Sequence, residues 1–372
     1  MTNERCALGF NKLIAASPVL LFLGAGASAG IGKPTMAQFV EKLKATIKPN
    51  SGGNLLHLLA AARGADLEKI MGDLETFLNL PYLTAFQCNP EFHYVATPPD
   101  NGPITITKDE ADLLRSAIRH EIIREYRVLD GSAVCSVYEP LFDLIFNYVN
   151  PAEHCVPIFT TNYDLAIESL CEKTYHKYAL TEGLDVDSFT KMAHWSRSEF
   201  DLYSLWEGHQ NLVQFKLHGS VDWIREAKSG RIVRAPAMYD VMDSDEYQNV
   251  IIYPTGDKAA NREPYFSAYE YFSRCCEQAE LLIVIGYSFR DYEALNRLIG
   301  ATRRNEALKV VVVAPNAWGM MHVFDQDAVD ELSPLKWSVT PVAAYFGDHL
   351  MQTQYLQAIE ELLTLAVTQK RP

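Results

Sequence analysis

Four short segments of this chain combine residue types that can hold an anion, orient a small molecule and move a proton. Gly24-Ala25-Gly26-Ala27-Ser28-Ala29 has the spacing G-x-G-x-x-G/A and follows the apolar run Val19 to Leu23. Glycines in such a loop let backbone N–H groups approach a phosphate, and a helix start behind it favours negative charge. Thr160-Thr161-Asn162-Tyr163-Asp164 supplies a carboxylate and an amide, the amide being donor and acceptor at once. Lys216-Leu217-His218-Gly219-Ser220 supplies an imidazole, whose ordinary pKa of ~6.5 suits proton transfer near neutrality. Gly286-Tyr287-Ser288, with Asp291 close behind, adds a further glycine turn and a hydroxyl.

Each residue also has an ordinary structural reading. A tight turn needing positive φ accounts for the glycines without any ligand. Asp164 can cap a helix starting at Leu165, and Asp291 reads as a cap for the helix Tyr292 to Ile299 more readily than as a ligand. Asn316 follows a proline and can be a turn residue. A lone histidine after a strand is more often structural than catalytic, so His218 gains weight only beside Asn162 and the glycine loop. His154 and His194 show no ligand spacing.

Better-known sites fit less well. A P-loop needs four residues between its first glycine and Gly-Lys, whereas five separate Gly26 from Gly32-Lys33, and Pro34 stands where a magnesium-binding hydroxyl belongs. A dehydrogenase would continue into a second strand ending in an acidic ribose ligand; here a turn and a helical region follow. His120-Glu121 opens an H-E-x-x-H pattern that Arg124 breaks.

The elements that position these segments are legible around them. Val19 to Leu23, Val156 to Thr161, Leu212 to Leu217, Val250 to Tyr253, Leu281 to Ile285 and Val310 to Val313 are short apolar runs. Most end in small or polar residues and alternate with helical patterns. That alternation predicts an α/β fold, a Rossmann-type parallel sheet with helices on both faces, whose ligands sit beyond the carboxyl ends of the strands. Thr35 and Gln38 form a T-x-x-Q capping box ahead of Met36, Phe39, Val40, Leu43 and Ile47 at helical spacing. From Leu55 to about Asn150 the pattern is helical apart from a Pro-rich break at Thr97 to Pro103. The predicted organisation is therefore a core of residues 1–54 and 151–372 with a helical insertion at 55–150. Tyr175 to Phe200 and Glu226 to Glu246 read as surface loops or smaller insertions.

Composition narrows the function classes. A formal net charge of -14 opposes general nucleic-acid binding by this chain. The seven cysteines are scattered with no C-x-x-C pair, which excludes a zinc ribbon and suits a reducing cytosol. Ala27-Ser28-Ala29 mimics a signal-peptidase site, but the apolar run before it is five residues long. No run reaches membrane-spanning length, and a cytoplasmic location is expected.

Together the GAG-S loop, the T-x-N-x-D segment, the His-Gly pair and the Gly-Tyr-Ser turn resemble the sirtuin (SIR2) superfamily. The closer resemblance is to the SIR2-like NADase branch of bacterial anti-phage defence systems. It implies that NAD is the substrate and that these motifs line one pocket. Gly24, Ala25, Gly26, Ser28, Thr35 and Thr161 would then hold the dinucleotide, and Gly286, Ser288 and Asn316 its adenosine half. Asn162 would orient ribose and water, Asp164 would accept from the carboxamide N–H, and His218 would take a proton. Protein-deacylating sirtuins carry a four-cysteine zinc module and a Pro-Asp-Phe-Arg continuation; here there is no C-x-x-C, and Thr35-Met36-Ala37 follows Pro34. No zinc is expected, and protein deacylation or ADP-ribosyl transfer recedes. A sensor that binds NAD or ADP-ribose without turnover remains the alternative. The resemblance further implies a homo-oligomer, held inactive until a trigger arrives and docked to a HerA-type ATPase.

Overall fold

The computed structural model describes residues 10–49, 52–64, 66–79, 107–186, 192–235, 247–251, 263–289, 291–320 and 339–367. Seven strands form one parallel sheet: β1 (Val19–Leu23), β2 (Val156–Thr160), β3 (Tyr178–Thr181), β6 (Gln210–Lys216), β10 (Leu281–Ile285), β11 (Lys309–Ala314) and β12 (Val339–Ala343). Their order is β12-β11-β10-β1-β2-β6-β3, and every pairing is parallel. This is the Rossmann-type α/β sheet that the alternating pattern predicts. The central strands β1, β2 and β10 are buried throughout because both faces are covered. Leu20 and Phe22 point into one core, Val19, Leu21 and Leu23 into the other, as period-two alternation requires.

Helices α1 (Lys12–Ala15), α8 (Ser198–Asp201), α9 (Tyr265–Gln278) and α10 (Tyr292–Arg304) line the first face; α6 (Gly131–Tyr148), α7 (Ala166–Lys173) and α11 (His349–Val367) line the second. A third core joins α2 (Met36–Thr46), α3 (Gly53–Arg63), α4 (Leu67–Asn79) and α5 (Lys108–Tyr126). The stretch 55–150 is thus divided by its packing. Helices α3 to α5 pack with α2, whereas α6 lies on the sheet through Val134, Tyr138, Leu141 and Ile145. The Pro-rich break at 97–103 and residues 252 and 253 lie outside the described residues.

A second sheet, antiparallel, has the order β4-β5-β8-β7-β9, from β4 (Leu184–Val186), β5 (Ala193–Trp195), β7 (Trp223–Glu226), β8 (Ile232–Arg234) and β9 (Tyr247–Asn249). It corrects the loop readings of Tyr175 to Phe200 and Glu226 to Glu246. Within those stretches Tyr178–Thr181 is the edge strand of the large sheet, and three short strands belong to the small one. Strands of three or four residues carry too little alternation to register as a pattern. No described helix is long and apolar enough to cross a membrane.

Register places the site. Leu23 pairs with both Thr160 and Ile285, and Thr160 pairs with Lys216. The residues just beyond this row are Gly24, Thr161, Gly286 and Leu217, so the four chemical segments leave the sheet side by side. The chain runs from β1 to β2 on one side and later to β10 on the other, which makes the end of β1 the topological switch point where such sheets bind ligands.

Candidate functional site

The glycine loop continues as a 3₁₀ helix, Ala25–Ile31. Its glycines are needed for contact with the next strand end. A Cβ on Gly24 would lie 2.6 Å from Tyr287 Cα, and one on Gly26 would lie 2.7 Å from Gly286 Cα. Gly286 answers with φ +62° and equally close contact to Gly26 and Ala27. The amides follow: Gly24 N–H donates to Ile285 O at 2.9 Å, Gly26 N–H to Gly286 O at 2.8 Å and Ala27 N–H to Gly24 O at 2.9 Å. The amides of Gly24 and Gly26, expected to face a phosphate, are thus engaged with backbone carbonyls in this structure.

Two cavities open beside this loop. The larger, a cleft of about 590 Å³, includes Ala25, Gly26, Thr35, Thr161, His218, Gly286, Ser288 and Asp291 in its lining. The smaller, about 70 Å³, is lined by Ser28, Asn162 and Asp164 together with apolar Met36, Phe39, Leu67 and Ile122. Ala25, Met36 and Thr161 border both. Helices α3 to α5 complete the walls, with Arg63, Gly64, Asp66 and Lys69 on the cleft and Leu67, Ile122 and Tyr126 on the small cavity. Thr35 caps α2 in the predicted box, its side chain accepting from Gln38 N–H. Asn316 is exposed after β11 and lines neither of these cavities; a turn role accounts for it.

Around the small cavity the polar groups form a directed chain. Asn162 Nδ2 donates to Gly24 O at 2.9 Å and to Ser28 Oγ at 3.0 Å; Ser28 Oγ donates to Asp164 Oδ2 at 2.5 Å. Asp164 Oδ1 accepts from Ala166 N–H at 3.0 Å, so the carboxylate also secures the start of α7, as the capping reading proposed. The chain fixes the amide orientation, because the Gly24 carbonyl requires a donor. That leaves Asn162 Oδ1 buried with no donor among the described residues.

The second cluster sits on the cleft. His218 Nε2 lies 2.8 Å from Asp291 Oδ2, and Tyr269 OH donates to the same oxygen at 2.9 Å. Asp291 Oδ1 accepts from Glu293 and Ala294 N–H, the predicted cap. Burial raises the Asp291 pKa, but donation and charge from His218, with Tyr269 and the Ala294 amide, hold it below the ordinary carboxylate range. Burial and the neighbouring Asp291 push the Tyr269 phenol up, so it stays a donor. An ionised Asp291 places the proton on His218 Nε2 and leaves Nδ1 as the basic nitrogen. Cap and imidazole anchor are the same side chain; the cap is local and visible in sequence, whereas His218 lies 73 residues away. Tyr269, in the middle of α9, carries no motif that sequence could have flagged.

Beneath both clusters is a buried charge network. Lys216 Nζ donates to the Asp164 carbonyl and lies 2.8 Å from Glu168 Oε1. Arg234 bridges Glu182 at 2.6 Å and Asp222 at 2.8 Å. Burial raises the Glu168 pKa to about 7 against the lowering effect of Lys216. Lys33 Nζ donates to the Glu125 and Val128 carbonyls at the end of α5, tying the glycine-loop segment to the helical layer.

Residues 156–328 match the family model described as the SIR2-like domain. It holds Asn162, Asp164, His218 and Asp291, while the glycine loop precedes it. Among solved structures the chain is similar to a Sir2 homologue in complex with NAD, at 14% identity over 95% of this chain and 93% of that one, with a TM-score of 0.42. A mutant Sir2 homologue with ADP-ribose matches at 13% identity over 97% and 98%, TM-score 0.40. A Sir2 structure with a p53 peptide and NAD+ matches at 11% identity over 94% and 97%, TM-score 0.42. Likeness this distant carries no argument about the site. No curated protein matches the chain. Among the described residues no group of three or more His, Cys, Asp or Glu side chains is placed to hold a metal.

Proposed function

We propose that this chain is an NAD+ hydrolase that splits the bond between nicotinamide and ribose. The observation that carries the reading is the buried, undonated Asn162 Oδ1 on a small cavity that opens beside a cleft bearing a His–Asp pair. An aromatic ring carrying a carboxamide suits the apolar walls and the amide and carboxylate of the small cavity; the rest of the dinucleotide suits the cleft. The SIR2-like match over 156–328 supports the same reading.

The chemistry balances on these residues. The C1′–N bond breaks with its electron pair passing to the nicotinamide ring, which loses its positive charge and needs no acid. An oxocarbenium-like ribose develops, as in glycoside hydrolysis. Asn162 fixes the reacting end, and water adds at C1′ while its proton passes to His218 Nδ1. Asp291 accepts the opposite N–H and stabilises the imidazolium formed. The products are nicotinamide, ADP-ribose and one proton.

The resemblance makes anti-phage defence the setting, with NAD depletion as the outcome and an oligomer with a HerA-type ATPase as the switch. The test is chromatographic. Purified protein, alone and with such an ATPase, is incubated with NAD+, and nicotinamide and ADP-ribose are followed. Equal release of both products is expected. NAD+ that binds and survives in both mixtures would replace the hydrolase by a sensor.

A further inference from the structure

The engaged loop amides raise a question of charge. A dinucleotide brings a diphosphate into the cleft, and the N–H groups of Gly24, Gly26 and Ala27 already donate to backbone carbonyls. The protein as a whole is acidic, at -14, and the cleft lining includes the carboxylates of Asp66 and Asp291. Among the described lining residues the only permanent cations are Arg63 and Lys69, and both come from the α3–α4 corner.

Their settings suit the task. Asp73 on α4 grips the Arg63 guanidinium through Nε and Nη2, which fixes its plane while the side chain stays 37% exposed. Lys69 is 67% exposed, and among the described residues its ion pair is a loose one, 3.6 Å to Asp66. An exposed pair of that length contributes little, so the ammonium is available to a more strongly charged partner. Guanidinium forks and ammonium groups both form charge-assisted bonds to phosphate oxygens.

Resting on the NAD+ reading, we infer that the diphosphate of the substrate is bound by Arg63 and Lys69 of the helical layer, and not by the amides of Gly24 and Gly26. The helical layer would then be a substrate-binding element as well as a wall.

ADP-ribose, which carries the diphosphate and is not consumed, is the probe. Its affinity is measured by calorimetry for wild type, for Arg63→Gln with Lys69→Gln, and for Lys69→Glu alone, across a series of NaCl concentrations. Affinity in the double variant is expected to fall at least about tenfold, the scale of one hydrogen bond to a charged group. The weakening of binding with salt should flatten, because fewer charges remain to be screened. Lys69→Glu, at a position too exposed to carry the fold, should weaken binding in the same direction. A folding defect would not flatten the salt dependence. Unchanged affinity and salt slope in a wild type that binds ADP-ribose would overturn the inference alone. A wild type that binds neither ADP-ribose nor NAD+ would overturn it together with the NAD+ reading.

Discussion

The two polar clusters flanking Thr161 differ in what they leave open. Asn162, Ser28 and Asp164 pass hydrogen bonds in one direction, from the Asn162 amide to the Asp164 carboxylate, and leave at the head of the chain an acceptor, Asn162 Oδ1, that no group among the described residues satisfies. His218, Asp291 and Tyr269 converge on one carboxylate oxygen that already has two donors. A buried acceptor without a donor costs roughly 1–3 kcal/mol, which an incoming N–H or water would recover. A carboxylate held by imidazole and phenol is finished in itself and serves to hold charge. The first arrangement fits a place that waits for a ligand; the second fits a place that accepts a proton.

Substitutions can break that contrast. The largest effect is expected from His218→Ala, which should lower the rate of nicotinamide release about 10²- to 10⁴-fold, the range for a lost general base. Asn162→Ala should cost about 10²-fold through misplacement of the reacting end. ADP-ribose titrations on both should show affinity within a few fold of wild type; loss of binding equal to loss of rate would erase the distinction drawn between the clusters.

A smaller effect, on stability, tests what joins them. Lys216 stands two residues before His218 and grips the carbonyl of Asp164. Lys216→Met leaves Glu168 buried without its cation, and chemical denaturation should show a loss of about 3–5 kcal/mol. A loss near zero would mean that the two strand ends are held by packing alone.

The smallest effect concerns pH. Glu168 is raised from 4.5 to about 7 by burial. Between those values the folded state keeps a proton that the unfolded state has lost, so stability falls as pH rises through the window and levels off above it. Glu168→Gln should flatten that slope in thermal melts taken from pH 4.5 to pH 8; an unchanged slope would place the titration elsewhere.

Much of this was legible in sequence, for physical reasons. Val19–Leu23 and Leu281–Ile285 are delimited by glycine on one side and by uninterrupted apolar residues within, and the Thr35 capping box follows from three-residue spacing. What escaped was non-local. The glycines announce a close approach but not that Gly286 is the backbone approached, so the capture of their amides was invisible. Tyr269 and Arg63 lie inside ordinary helical patterns, and only the packing of α9 and of the α3–α4 corner brings the first to Asp291 and the second to the cleft. The small antiparallel sheet depends on pairings across strands of three or four residues, which no local periodicity encodes.

The helical layer borders the cleft through Arg63 and Lys69 and the small cavity through Leu67, Ile122 and Tyr126. One shared core holds α2 to α5 together, so the two cavities are bordered by one packed part. A tilt of that part as a unit would widen both compartments in the same stroke. Hold on the anionic portion of a guest and enclosure of its ring would then rise and fall in step, giving any body that presses on these helices one lever over the whole chamber.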